Sequence, residues 1–112
     1  MEKEGAGKKI LVVDDKEDSR VLVRKVLGRR GYEVIEAGTG EDAISMAQTE
    51  LPDLILMDIR LPGGIDGLEA TRRIKATPQL AHIPILAMTA SVRPEDMQRA
   101  LNKAVMASFA NR

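Results

Sequence analysis

Apolar residues recur along the chain in two alternating kinds of pattern. Ile10-Leu11-Val12-Val13, Leu54-Ile55-Leu56-Met57 and Pro84-Ile85-Leu86-Ala87-Met88 are continuous short runs. The first, rich in β-branched residues, has the pattern of a strand covered on both faces, and the other two predict the third and fourth strands. Tyr32-Glu33-Val34-Ile35-Glu36-Ala37 alternates instead, as expected of a strand nearer a sheet edge. Between the runs the period changes to that of a helix. Asp18 or Ser19 opens the first helix, Leu22, Val23, Val26 and Leu27 form its apolar side, Arg20, Arg24, Lys25 and Arg29 lie elsewhere, and Gly31 ends it. Thr39 with Asp42 resembles a capping box, and Ala43, Ile44 and Ala47 give a second helix that stops before Pro52. A third helix is expected over about residues 67–75, after a Pro-Gly-Gly loop. A fourth begins near Pro94, with Glu95 and Asp96 complementing its dipole.

Strands alternating with helices imply right-handed βαβ units and a parallel sheet with helices on both faces, an α/β doubly wound fold. The 112 residues suffice for one domain with one core. One Tyr and one Phe leave that core aliphatic and give little surface on which bases could stack. Lys plus Arg equals Asp plus Glu at 17 each, which argues against a basic nucleic-acid face as the main activity. Cysteine is absent, so thiolate chemistry is excluded. No apolar run approaches the ~20 residues of a membrane span. Residues 1–8 read as a solvated leader on a cytoplasmic protein, with residues 9–112 as the single domain.

The chemistry lies where the runs stop. Ligands of open α/β sheets bind outside the carboxyl ends of the strands, and the first and third runs end there on Asp14-Asp15 and Asp58. If those strands are neighbours, the three acids converge. Three adjacent carboxylates cannot all stay ionised without a counter-charge, and hard oxygen ligands on a rigid edge suit Mg²⁺. A metal there would shield an incoming phosphoryl group and leave one carboxylate free to attack it. Thr89, after the fourth run, offers a hydroxyl to a phosphoryl oxygen.

In these residues the sequence resembles the receiver domain of two-component response regulators. The matching positions are Asp14-Asp15, Met57-Asp58, Pro62, Asp66-Gly67 and Thr89-Ala90, over about residues 9–100. The resemblance implies a flavodoxin-like sheet of order 2-1-3-4-5. It makes Asp58 the phosphoacceptor and Thr89 the switch hydroxyl. Asp14, Asp15 and Asp58 become the Mg²⁺ site, Asp15 most directly, completed by the backbone carbonyl of Arg60. The expected partners are a histidine kinase or phosphotransfer protein and a downstream protein effector, without nucleic acid or membrane. The domain would catalyse only its own phosphorylation and dephosphorylation. His82, the lone histidine, reads as a surface loop residue.

Two departures stand out. Between Pro62 and Asp66 the chain has three residues, Gly63-Gly64-Ile65, where the family usually has two, and glycines can absorb the extra one. After Asn102 the chain runs Lys103-Ala104-Val105-Met106-Ala107-Ser108-Phe109-Ala110-Asn111-Arg112. A receiver would instead continue with a fifth strand, a lysine and a fifth helix. The expected sheet is therefore 2-1-3-4, with the last strand, its lysine and the last helix missing or replaced. A reading frame shifted from the end of the Val105 codon can read Asp-Gly-apolar-apolar-x-Lys-Pro, so a frameshift is one expectation for this tail and a cut end the other. An uncovered fourth strand, with the helical spacing continuing through Phe109, predicts a homodimer through that region.

Three other readings compete. Gly38-Thr39-Gly40-Glu41-Asp42-Ala43 fits the dinucleotide pattern G-x-G-x-x-A, and Asp58 follows Gly38 by 20 residues. A phosphohydrolase with an aspartyl-phosphate intermediate commonly needs an acid two residues after the nucleophile, where Arg60 stands. A receiver fold that has lost its switch would act as a phosphorylation-independent interaction module.

Overall fold

The four runs lie side by side in one parallel sheet. The computed structural model describes residues 7–88. In chain order these form β1 (Lys9–Val13), α1 (Glu17–Arg29), β2 (Glu33–Ala37), α2 (Gly40–Glu50), β3 (Leu54–Asp58), α3 (Gly67–Ala76) and β4 (Ile85–Met88). The strand order is β2-β1-β3-β4: the flavodoxin-like α/β arrangement expected, with β2 at an edge. Thr89, the helix expected from Pro94 and the tail with its frameshift and dimer expectations lie outside the described residues.

The uninterrupted runs of β1 and β3 follow from the middle of the sheet having two covered faces. Leu11, Val13, Ile55 and Met57 point into one core, against Ala43 and Ala47 of α2 and Ala70 and Ile74 of α3. Ile10, Val12, Leu54 and Leu56 point to the other face, where Val23 and Leu27 of α1 and Tyr32 cover them. Side chains alternate along a strand, so a strand buried on both faces needs an apolar residue at every step. Removing one of these side chains, as in Leu56→Ala, is expected to cost about 2–5 kcal/mol through lost burial and the cavity left behind.

The helix termini show where local chemistry sets the boundaries. α1 begins at Glu17, before the expected Asp18 or Ser19, and its N-cap Lys16 makes no side-chain capping bond. The Lys16 N–H is satisfied by Asp14 Oδ1 at 2.9 Å, which fixes the turn leading into the helix, and Glu17 and Asp18 in the first turn complement its dipole. Leu22 is 51% exposed and does not join the core; the inward stripe is Val23 and Leu27, with Val26 half-buried. Gly31 closes α1 at φ 92°, a left-handed conformation that favours glycine. Tyr32 sits just before β2, buried beneath α1 with its N–H bonded to Leu27 O. Thr39 caps α2 by accepting from Asp42 N, as the sequence predicts. His82 is exposed ahead of β4.

Candidate functional site

The register of the two central strands sets the site. Val13 pairs with Met57, so Asp14 and Asp58 leave the sheet side by side, with Asp15 one step beyond. One carboxylate oxygen from each of Asp14, Asp15 and Asp58 lies within 4.8 Å of the others. Asp14 and Asp58 are half-buried, whereas Asp15 is exposed. They open onto a cleft of about 320 Å³ that Lys16, Ser19, Arg60, Pro62 and Met88 also line.

Main-chain groups fix the two half-buried acids. The N–H of Asp14 donates to Ala37 O at 3.1 Å, while its Oδ1 accepts from Lys16 N. Asp58 Oδ1 accepts from Arg60 N at 2.9 Å. Behind Asp58, Gly67 N donates to Ile59 O at 3.1 Å, and a Cβ on Gly67 would land on the Asp58 carbonyl. Glycine at the start of α3 thus lets the helix seat directly against the strand end. Asp66 caps that helix by accepting from Glu69 N at 2.8 Å.

No ion pair with Lys or Arg engages the three acids among the described residues. The Asp14 carboxyl is pushed above its ordinary range, first by burial and then by the charges of Asp58 and Asp15, against the opposing hydrogen bond and charge of Lys16. Three hard oxygen donors with uncompensated charge suit a divalent cation such as Mg²⁺. Receiver domains bind Mg²⁺ through acidic residues of this kind, and the acidic cluster is in place.

The sequence located this trio by number, and the fold brings it together. Arg60 lines the cleft, with its N–H turned to Asp58. Met88 pairs in register with Asp58, so it stands at the same sheet end; Thr89, the next residue, lies outside the described residues. Lys16, Ser19 and Met88 were not singled out from the sequence, because nothing in their types or spacing marks them apart from helix-start and strand residues. In the sequence Arg20 is simply one of the residues off the apolar stripe of α1, yet its Nη1 donates to the Asp14 carbonyl at 2.7 Å.

The extra residue of the β3–α3 loop is absorbed by its glycines. Gly63 and Gly64 adopt φ 67° and 52°, and a side chain on Gly64 would collide with the Glu41 carboxylate. The loop docks on the start of α2, where Glu41 Oε2 accepts from Ile65 N at 3.3 Å. The same packing argues against the dinucleotide reading. The space a Cβ on Gly40 would take is filled by Ile65, at 2.6 Å from its Cγ1, and Glu41 and Asp42 put negative charge in the first turn of α2, where an anion would be repelled.

Comparison with known proteins agrees with this geometry. The family model for the response regulator receiver domain matches residues 10–109. The polar-differentiation response regulator DivK of Brucella ovis is 40% identical over 92 residues, which cover 82% of this chain and 74% of that protein. The N-terminal domain of a response regulator receiver protein from Methanoculleus marisnigri superposes with a TM-score of 0.73 at 36% identity, over 84% of this chain and 76% of that one. Chemotaxis protein CheY4 of Vibrio cholerae gives a TM-score of 0.72 at 27% identity, over 95% and 98% of the two chains. Such domains work in two-component signalling, where they interact with histidine kinases and effectors. Among the described residues no helix is long and apolar enough to cross a membrane. By its motifs, its sheet order and these matches, the chain belongs to the response regulator receiver domain family.

Proposed function

We propose that this domain takes a phosphoryl group from a phosphohistidine of a kinase or phosphotransfer protein onto Asp58, and signals through a protein partner. The observation that carries the reading is the convergence of Asp14, Asp15 and Asp58 at one sheet end. Asp58 Oδ1 is occupied by the Arg60 N–H, which orients the carboxylate and leaves its other oxygen to attack phosphorus. The P–N bond of the donor breaks as the O–P bond forms; the histidine leaves as neutral imidazole after taking a proton. Asp14 and Asp15 would hold the metal, with Asp58 and the carbonyl of Arg60 completing the set. A bound Mg²⁺ would offset the charge that the acids and the phosphoryl oxygens bring together. Thr89 is the switch hydroxyl for a phosphoryl oxygen. In this reading the domain spans residues 9–112 in the cytoplasm and turns over only its own phosphoryl group.

The test is intact mass after incubation with Mg²⁺ and acetyl phosphate. The parent is expected to gain one phosphoryl group, and Asp58→Asn or added chelator to abolish the gain. A folded parent that gains nothing contradicts the proposal and favours the phosphorylation-independent interaction module. That second reading draws on β4, which closes the sheet among the described residues yet keeps Ile85, Leu86 and Met88 only half-buried and Ala87 exposed. Association through this edge is expected to appear in light scattering as a concentration-dependent dimer; a monomer across a wide range of concentration counts against it.

A further inference from the structure

The turn that carries Asp14 and Asp15 is held by more than its own backbone. Arg20, on the first turns of α1, reaches back and donates from Nη1 to the Asp14 carbonyl at 2.7 Å. Its Nε donates to Glu36 Oε1 of β2 at 3.1 Å, and Arg24 holds the other oxygen of Glu36 at 2.6 Å. The Arg20 and Glu36 side chains are only 19% and 23% exposed, so water competes weakly for these bonds. An arginine fits because its planar fork serves a carboxylate and a carbonyl at once, which a lysine ammonium on a flexible stem does with less definition.

With Arg20 in place, every hydrogen-bonding element of Asp14 except one carboxylate oxygen has a fixed partner. The N–H is bound to Ala37 O, the carbonyl to Arg20 and Oδ1 to Lys16 N. We infer that Arg20, itself held by Glu36, is a positioning residue for the metal-binding turn: it locks the Asp14 peptide so that the Asp14 and Asp15 carboxylates stay directed at Asp58. The inference deepens the receiver reading and rests on its assignment of Asp14 and Asp15 as metal ligands. Groups that orient ligands in this way commonly change metal affinity about 10–100-fold when removed. Arg20 acts on a ligand residue through its backbone, which places the expected effect at the low end.

The experiment uses the whole chain, with Mn²⁺ as the probe, bound metal read by electron paramagnetic resonance, and amide exchange followed by NMR without metal. Arg20→Ala is expected to bind Mn²⁺ about tenfold more weakly and to speed exchange of the Lys16 amide, whose bond to Asp14 loosens with the turn. Arg20→Lys is expected to recover only part of the affinity. Arg24→Ala loses a bond to the same Glu36 without touching Asp14, and is expected to leave both readouts unchanged. Equal affinity in Arg20→Ala and the parent, or equal losses in Arg20→Ala and Arg24→Ala, overturns the inference. If Arg20→Ala does not fold, Glu36→Ala serves: it removes the acceptor that holds Arg20 Nε, should weaken Mn²⁺ binding, and unaltered binding overturns the inference. A parent that binds no Mn²⁺ sinks the metal-site reading itself; the role of Arg20 in holding the turn then stands or falls on the Lys16 amide alone.

Discussion

The two ends of the sheet each gather three acids but pair them differently. At the amino end, Lys9 stands among three acids: its Nζ lies 2.9 Å from Glu50 Oε1 and 4.0 Å from Glu33 Oε2, and its main-chain N–H donates to Asp53 Oδ2 at 2.8 Å. At the carboxyl end, Asp14, Asp15 and Asp58 crowd together with no such cation paired to them among the described residues. Both ends shift a titration upward, with contrary meanings. Lys9 rises because its hydrogen bond to Glu50 favours the charged ammonium. Asp14 rises because burial and its acidic neighbours disfavour the charged carboxylate. At one end a lysine is ion-paired to its acids and serves the fold; at the other the acids have no ion-paired cation among the described residues, and a ligand from outside can supply one.

The largest expected break in this contrast comes from packing. Gly67→Ala drives a methyl group into the Asp58 carbonyl and is expected to cost about 1–3 kcal/mol in urea unfolding, while blunting any response to Mg²⁺. Next comes Asp14→Asn, with the opposite sign. Removing one of three crowded charges is expected to stabilise the metal-free protein by less than ~1 kcal/mol, since solvent screens partly exposed charges, and to reduce stabilisation by Mg²⁺. An Asp14→Asn protein that is less stable without metal and equally responsive to Mg²⁺ would dissolve the distinction between the two ends.

Acidity separates the ends more gently. Asp14 has a folded pKa above its unfolded value of 3.8, so the folded state holds its proton longer. Its contribution favours folding below that unfolded value and is lost as pH rises through the raised one. Metal affinity should therefore increase with pH across the same window, as protons stop competing. Lys9 has a folded pKa raised above 10.5, so its contribution is present below that value and is lost as pH rises through the raised one. Smallest of all, Lys9→Met is expected to lower the urea midpoint slightly and leave the Mg²⁺ response untouched, because its partners lie at the far end of the strands.

Much of this was legible from sequence because the strongest signals were also the simplest. The continuous runs of β1 and β3 fit strands, the first with the pattern of one buried on both faces, and acids directly after them emerge at one sheet end once the two strands pair. What sequence could not resolve were residues whose role depends on direction. Leu22 fits the helical period of α1, yet lies just beyond the arc that the sheet covers. Arg20 looks like any solvated arginine until the turn of α1 is known to bring it under the Asp14 carbonyl. α1 starts at Glu17, ahead of the polar Asp18 and Ser19 that the sequence offers as its opening, because its N-cap is Lys16, whose side chain makes no capping bond and so leaves no cap signal to read. Gly64 was expected to absorb an extra residue, but the collision it avoids with Glu41 belongs to a contact between distant segments.

The most direct test of the charge deficit is thermal unfolding of the whole chain titrated with Mg²⁺ at constant ionic strength, with NaCl as the matched control. The midpoint is expected to climb with the logarithm of Mg²⁺ concentration, as ligand binding to the folded state requires, and to climb far less in Asp15→Asn. If Mg²⁺ does no more than matched NaCl, the three acids are not a metal site, and the contrast between the two ends of the sheet carries no functional meaning.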